Sequence, residues 1–320
     1  MNASITDIKG LKVGTAEDLQ ALTGCTVVLA EDGAVCGVDV RGSAPGTRET
    51  DLLNPSNSME QVNAVVLAGG SAYGLEAAEG VMDWLEEQGK GFYTGKTVVP
   101  IVPAAVLFDL NVGSYKIRPD KKMGYEAAAR AGLEVPEGNY GAGTGATVGK
   151  VSGYEYCTKS GQGTFAVELA NGLTVGALVA VNAFGDVLDP ETGEVIAGVQ
   201  RVDGKGFRRT VDILKEMFGI EQPSVWTGNT TLAVVASNAR LSKAEAQKVA
   251  QMAHNGLARS ISPIHTTWDG DTVFALATGE VEANVNLVGI LSSEVLARAV
   301  VRAVKAAQAI QGLKSSRDII

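Results

Sequence analysis

Histidine is almost missing from this chain. Only His254 and His265 occur in 320 residues. His254 sits in an Ala-rich helical pattern and reads as a satisfied helix residue. His265 lies close to Asp269 and Asp271 and is the one histidine with a candidate site. No G-x-S-x-G elbow is present, so a Ser-His-Asp hydrolase lacks its serine. No H-E-x-x-H occurs, which excludes a zincin, and no G-x-x-x-x-G-K-[ST] occurs, which excludes a P-loop. Cysteine is also scarce. Cys25, Cys36 and Cys157 form no C-x-x-C pair and leave at least one unpaired. A disulfide framework or zinc site is therefore not expected, and a reducing cytoplasm is the expected compartment. Basic charge is short as well: 27 Lys and Arg stand against 36 Asp and Glu, for a net charge of -9. Such a surface repels phosphate backbones, so nucleic acid is not an expected partner. No apolar run approaches the roughly 18 residues of a membrane span. The opening MNASITDIKG has neither a basic nor an apolar signal region, so no leader is expected.

What is present suits a globular α and β protein. Hydrophobic residues make up 45% and charged residues 20%, which argues against disorder. The length admits one large domain or two smaller ones. The 39 glycines show no G-X-Y period. Short Val-rich segments predict strands over 26–30, 34–41, 64–68, 97–102, 164–170, 173–181, 231–236 and 272–277. Asn171-Gly172 between two apolar runs predicts a hairpin, so part of the sheet is antiparallel. Helices are predicted over 72–88, 123–131, 206–218, 242–259 and 292–311. The fourth opens with a capping box, Ser242 with Glu245. Its buried stripe is Ala246, Val249, Ala250, Ala253 and Leu257. The last helix carries Val295, Leu296, Ala299, Val300 and Ala303 on one side. Residues 185–228 are polar and turn-rich and read as a long excursion between two strands. An excursion of that length is usually functional or disordered.

Three further segments are candidates for chemistry. Gly141 to Ala146 matches a G-x-G-x-x-A dinucleotide fingerprint, with Glu168 about 20 residues on. No strand pattern precedes it and no helix pattern follows it, so a tightly packed glycine turn is the stronger reading. Asp269-Gly270-Asp271 directly precedes the apolar run TVFALAT, which would hold the two carboxylates at a sheet end. Gly228-Asn229-Thr230 precedes LAVVAS and reads either as a turn or as a latent N-terminal nucleophile. A cut before Thr230 would give one residue both a hydroxyl and a free α-amine. That amine has a reference pKa of about 7.7–8.0 and can act as a base near neutrality. It would do the work of the scarce imidazole.

Eight segments, spanning nearly the whole chain, carry a resemblance. They are RGSAPGTRETDLL (41–53), VVLAGGSAYGLEAAEGVMDWLEE (65–87), VPIVPAAVLFDL (99–110), GAGTGATVGK (141–150), KSGQGTF (159–165), VGALVAVNAFGD (175–186), GNTTLAVVAS (228–237) and DGDTVFALATG (269–279). In these the chain resembles the L-aminopeptidase/D-esterase family of self-cleaving hydrolases, which includes β-peptidyl aminopeptidases and nylon-oligomer hydrolases. The resemblance implies an α+β fold, a four-layer αββα sandwich of the N-terminal-nucleophile-hydrolase kind. It implies one hydrolase domain over 1–320, cut between Asn229 and Thr230 into an α chain of 1–229 and a β chain of 230–320. Thr230 would be the nucleophile, and Asp269 and Asp271 would orient or tune it. The aminopeptidase branch has a serine where Asp269 stands, which leaves the substrate type open. Asn182 would be the orienting or oxyanion-stabilising amide. Lys159 and Tyr115 match pocket positions of the nylon-hydrolase branch, and a lysine there would favour the free amine.

The expected reaction is hydrolysis of a short peptide or amide through an acyl-enzyme, with no cofactor and no metal. The expected partners are the small substrate and further copies of the chain, as a tetramer of αβ units, with no membrane. Two alternatives remain at this stage. One is acyl transfer of the ornithine acetyltransferase type on the same threonine. The other is a dinucleotide-binding non-hydrolase built on Gly141–Ala146.

Overall fold

The computed structural model describes residues 3–217 and 228–319. Among the described residues nine strands form one hydrogen-bonded sheet. They are β1 (Lys12–Asp18), β2 (Thr23–Val40), β3 (Gly46–Arg48), β4 (Gln61–Ala68), β5 (Ala104–Val106), β6 (Gln162–Glu168), β7 (Thr174–Asn182), β8 (Thr230–Ala239) and β9 (Thr272–Val281). Five α-helices accompany them among the described residues: α1 (Ala77–Glu87), α2 (Lys121–Ala129), α3 (Thr210–Glu216), α4 (Lys243–Ser260) and α5 (Val285–Ala306). The order is β6-β7-β8-β9-β2-β4-β5-β3, with β1 also paired to β2. Two pairings are parallel, β8 with β9 and β4 with β5, and the rest are antiparallel.

The path is continuous because β2 serves two sheets. Its first half pairs with β1 and β4, and its second half pairs with β9. Between the halves the register shifts, and Gly33 takes φ +90°, a conformation glycine adopts without steric cost. Side chains alternate across each strand. Leu178 and Ala180 of β7, Leu232, Val234 and Ala236 of β8, and Phe274 and Leu276 of β9 meet Val28, Val65, Leu67 and Ala105 from the other half in one core. The opposite face of β7, β8 and β9 packs on α4 and α5. The opposite face of β2 and β4 packs on α1 and α2. The result is four layers, helix, sheet, sheet, helix, as the resemblance implies. Strands covered on both faces are apolar at nearly every position, which explains why β7 and β8 read as continuous Val and Ala runs.

Several expectations match in detail. Asn171-Gly172 turns the β6–β7 hairpin with Gly172 at φ +81°. The Ser242–Glu245 capping box caps α4, and the predicted stripes of α4 and α5 are buried. Others require correction. The strands predicted over 26–30 and 34–41 are one bent strand. The segment 97–102 is not a core strand: Val98–Val99 forms only a small ribbon with Phe92–Tyr93, and the core strand is β5. Pro100 and Pro103 explain this, since neither has an N–H for a ladder. Strand β1 was hidden by its polar alternation. The helix predicted over 206–218 begins at Thr210, because Phe207–Arg208 pairs with Val199–Gln200. Helix α5 starts earlier than predicted, where the Asn284 side chain accepts from the Asn286 N–H. The excursion after Asn182 is largely structured, with short strands at Asp186–Leu188 and Val195–Ala197. Its residues 218–227 lie outside the described residues. Gly141–Ala146 forms a buried 3-10 turn. It lacks the strand-turn-helix frame that pyrophosphate binding needs, and this overturns the dinucleotide reading.

Phe274 is fully buried between the sheets. Phe274→Ala should cost about 3–5 kcal/mol, read as a lowered urea midpoint. An unchanged midpoint would contradict the two-sheet core.

Candidate active site

Sheet topology brings the candidate residues to one end of the sheet. Thr230 opens β8. Its antiparallel neighbour β7 ends there with Asn182, which pairs in register with Thr230. Its parallel neighbour β9 begins at that same end, so Asp269-Gly270-Asp271 lies beside Asn229 and Thr231. Thr230, Asn182, Asp269 and Asp271 are each no more than 3% exposed. Buried polar groups of this kind must be hydrogen-bonded to persist, and these are.

The Thr230 hydroxyl donates to the Asn229 carbonyl, the carbonyl of the bond expected to break. The same carbonyl accepts from the Gly270 N–H at 3.3 Å. A Cβ on Gly270 would sit 2.8 Å from the Thr230 hydroxyl oxygen and 2.6 Å from the Ala44 carbonyl. Only glycine lets this segment approach Thr230 so closely. One peptide upstream, the Gly228 carbonyl accepts from Lys150 Nζ at 2.8 Å and from Asn182 Nδ2 at 3.2 Å. The peptide 228–230 is thus held at two successive carbonyls. Asn182 also donates to the Phe108 carbonyl at 2.9 Å and accepts from the Thr147 N–H at 3.0 Å. Its amide thus donates to the Gly228 carbonyl, not to the Asn229 carbonyl.

The aspartates differ in their partners. Asp269 accepts from the Thr266 N–H at 3.1 Å, from the Thr266 hydroxyl and from the Phe184 N–H at 3.4 Å. Burial, with the Asp271 charge adding to it, pushes its carboxyl up to about 6. Asp271 accepts from the Thr231 N–H at 2.7 Å through one oxygen. Its other oxygen takes the His265 N–H at 3.1 Å and the His265 Nδ1 at 2.8 Å. The carboxylates therefore fix the segments packed beside Thr230.

Lys150 is the important residue that sequence reasoning missed. Its Nζ donates to the Asn182 carbonyl and side-chain oxygen and to Gly228, which uses all three ammonium donors. Burial pushes it down to about 7. It ends the segment GAGTGATVGK, one of those that carry the family resemblance. Lys159 is equally buried and also pushed down to about 7 by burial. Its Nζ, however, donates to the carbonyls of Gly143, Ala146 and Ser160. It braces the glycine turn and makes no described contact with Thr230. Tyr115 is 62% exposed. Neither it nor Lys159 is among the described residues that line the cavity at Thr230.

That cavity holds about 290 Å³. Asn229 and Thr230 line it together with Ala72, Val106, Phe108 and Trp268. Among the described lining residues none is charged. Trp268 is braced by Phe184, ring to ring at 5.1 Å. Among the described residues no group of His, Cys, Asp and Glu is placed to hold a metal ion, and no helix is long and apolar enough to cross a membrane.

A family model, Peptidase family S58, matches residues 3–317. The chain belongs to this family. It is a hydrolase of peptide or amide bonds, of the aminopeptidase and amidase kind. An uncharacterized aminopeptidase of Mycobacterium bovis is 44% identical over 99% of this chain and 97% of its own length. A 6-aminohexanoate-oligomer endohydrolase of Kocuria sp. is 33% identical over 93% of this chain and 85% of its own length. Among solved structures, the L-aminopeptidase D-Ala-esterase/amidase of Ochrobactrum anthropi, described as a variant of the Ntn-hydrolase fold, superposes with a TM-score of 0.71. The match has 19% identity and covers 96% of this chain and 88% of that one. A beta-aminopeptidase of Burkholderia sp. gives a TM-score of 0.67 at 22% identity, over 96% and 87%. The fold is thus that of the Ntn hydrolases.

The raised Asp269 carboxyl has a stability consequence. Its folded pKa of about 6 lies above the unfolded value of about 3.9. The group therefore stabilises the fold below about pH 4, and that contribution is lost as pH rises through about 6. The stability difference between wild type and Asp269→Asn should fall by up to about 3 kcal/mol over that window, read from urea midpoints. A constant difference would contradict the buried, raised carboxyl.

Proposed function

We propose that this hydrolase matures by cutting its own Asn229–Thr230 bond and then works through Thr230 as an N-terminal nucleophile. The observation that carries the reading is the Thr230 hydroxyl donating to the Asn229 carbonyl, inside a peptide fixed at two carbonyls. In the first step Thr230 Oγ1 adds to the Asn229 carbonyl carbon. The Gly270 N–H faces the oxygen that gains charge, as an oxyanion donor should. The C–N bond then breaks, and the hydroxyl proton ends on the Thr230 nitrogen. Water hydrolyses the resulting ester, which leaves a carboxylate on Asn229 and a free amine on Thr230.

The same hydroxyl then attacks a substrate carbonyl. The free amine takes its proton and passes it to the leaving amine. Water releases the acyl group. Lys150, with its pKa near 7, lies within the same hydrogen-bond cluster, and a cation there favours the unprotonated amine. The cavity, with no charged side chain among its described lining residues, suits a compact acyl group with an uncharged side chain on a short peptide or linear amide. On this reading residues 1–320 form one hydrolase domain whose two chains stay associated, because β7, β8 and β9 share one sheet. By family resemblance the unit is a cytoplasmic homo-oligomer.

Thr230→Ala should lose amide hydrolysis by about 10⁴-fold or more, measured as kcat/KM on a panel of aminoacyl anilides and short linear amides. Among aminoacyl substrates, the wild type should favour those with uncharged side chains over those with acidic or basic ones. Activity retained by Thr230→Ala would overturn the assignment.

A further inference from the structure

The two histidines, so few in the sequence, stand together in the fold. Their rings meet edge to face with centroids 4.8 Å apart. His254, on α4, is buried, and its Nε2 lies 3.0 Å from the Asp39 carbonyl and 3.5 Å from the Asp39 carboxylate. Burial pushes it down to about 4, so it packs as a neutral ring. His265 lies on the loop before β9 at φ +57°. In that conformation its backbone N–H and its ring Nδ1 reach the same oxygen of Asp271, at 3.1 and 2.8 Å. The other oxygen of Asp271 holds the Thr231 N–H at 2.7 Å. Thr231 is the residue bonded to the nucleophile. A line of contacts therefore runs from Asp39 through His254, His265 and Asp271 to the strand start that carries Thr230.

We propose that His265 is a positioning residue of the reaction: through Asp271 it sets the place of the nucleophile. The proposal rests on the Thr230 reading. Asp271 is fully buried, and a carboxylate there accepts only. His265 supplies two of the three N–H donors described on it. The Nδ1 position must carry the proton, and the neighbouring neutral ring of His254 keeps that imidazole from turning away. The other charged groups around Asp271 are Asp269, in the same loop, and Lys150, across the site. Asp39 and its partner Arg41 stand behind His254. None of these gives Asp271 a described hydrogen bond, so His265 has no substitute. It touches no substrate and is not a base in the chemistry.

The test uses two near-isosteric variants of the full chain. Asn and Asp both tolerate the left-handed conformation of residue 265. His265→Asn keeps an N–H that can face Asp271, whereas His265→Asp puts an acceptor there. Self-cleavage is followed on denaturing gels, steady-state kinetics on the cut material, and folding by thermal melting. His265→Asn should cut itself and turn over within a few-fold of wild type. His265→Asp should lower both rates by about tenfold to a hundredfold, the worth of a hydrogen bond to a charged group. The loss should fall on kcat with KM little changed. His265→Ala, which removes the donor without adding charge, should be slower than His265→Asn and covers the case in which His265→Asp does not fold. Equal rates for His265→Asn and His265→Ala, or a loss confined to melting temperature, would overturn the proposal. Thr230→Ala is run alongside. If it is still cut, the nucleophile reading itself fails. If it stays whole while all His265 variants behave alike, only the positioning role fails.

Discussion

The parallel pairing of β8 with β9, next to the antiparallel β7, is the constraint on which the site depends. It puts two strand starts and one strand end at a single edge of the sheet. Thr230, Asp269–Asp271 and Asn182 reach that edge from three separate stretches of sequence. No local motif could assemble them. The sheet is covered by helices on one side and by a second sheet on the other, so the edge is rigid. Pre-positioning of this kind is what the proposed nucleophile, with no histidine partner of its own, requires.

Burial is the second element. Placing Lys150, Asn182 and two aspartates in a nearly dry edge strengthens every contact among them. The same burial shifts Asp269 up and Lys150 down, toward neutrality. Groups whose pKa values lie near the working pH are suited to moving or steering protons. The cluster stays stable because its donors are matched to backbone carbonyls and to one another. Glycines at 228 and 270 permit the close approach. Gly228 takes φ +112°, and a Cβ there would lie 2.5 Å from the Tyr154 hydroxyl.

Much of the layered fold was legible in the sequence because strands covered on both faces are written as Val and Ala runs and helices as Ala-rich stripes. Strand β1 was not legible, since its alternation looks like loop, nor was the bend that joins β2 into one strand. Thr230, Asp269 and Asp271 stand out in the sequence just before apolar runs, Asn182 stands out only through the family resemblance, and the topology explains their meeting. Lys159 was chosen where Lys150 stands closer to the chemistry. Both are buried lysines, and they differ in the groups that their Nζ atoms reach, which no pattern of residue types encodes. Gly270 was quoted between its aspartates, but its backbone N–H carries no side-chain signature.

The central claim is that the chain makes its own nucleophile at Thr230. Intact-mass measurement of purified active protein, with N-terminal sequencing of the smaller species, tests it most directly. The account predicts two polypeptides, residues 1–229 and 230–320, the second beginning Thr-Thr-Leu-Ala. Active material consisting of one uncut chain, or a smaller species starting at any other residue, would contradict it.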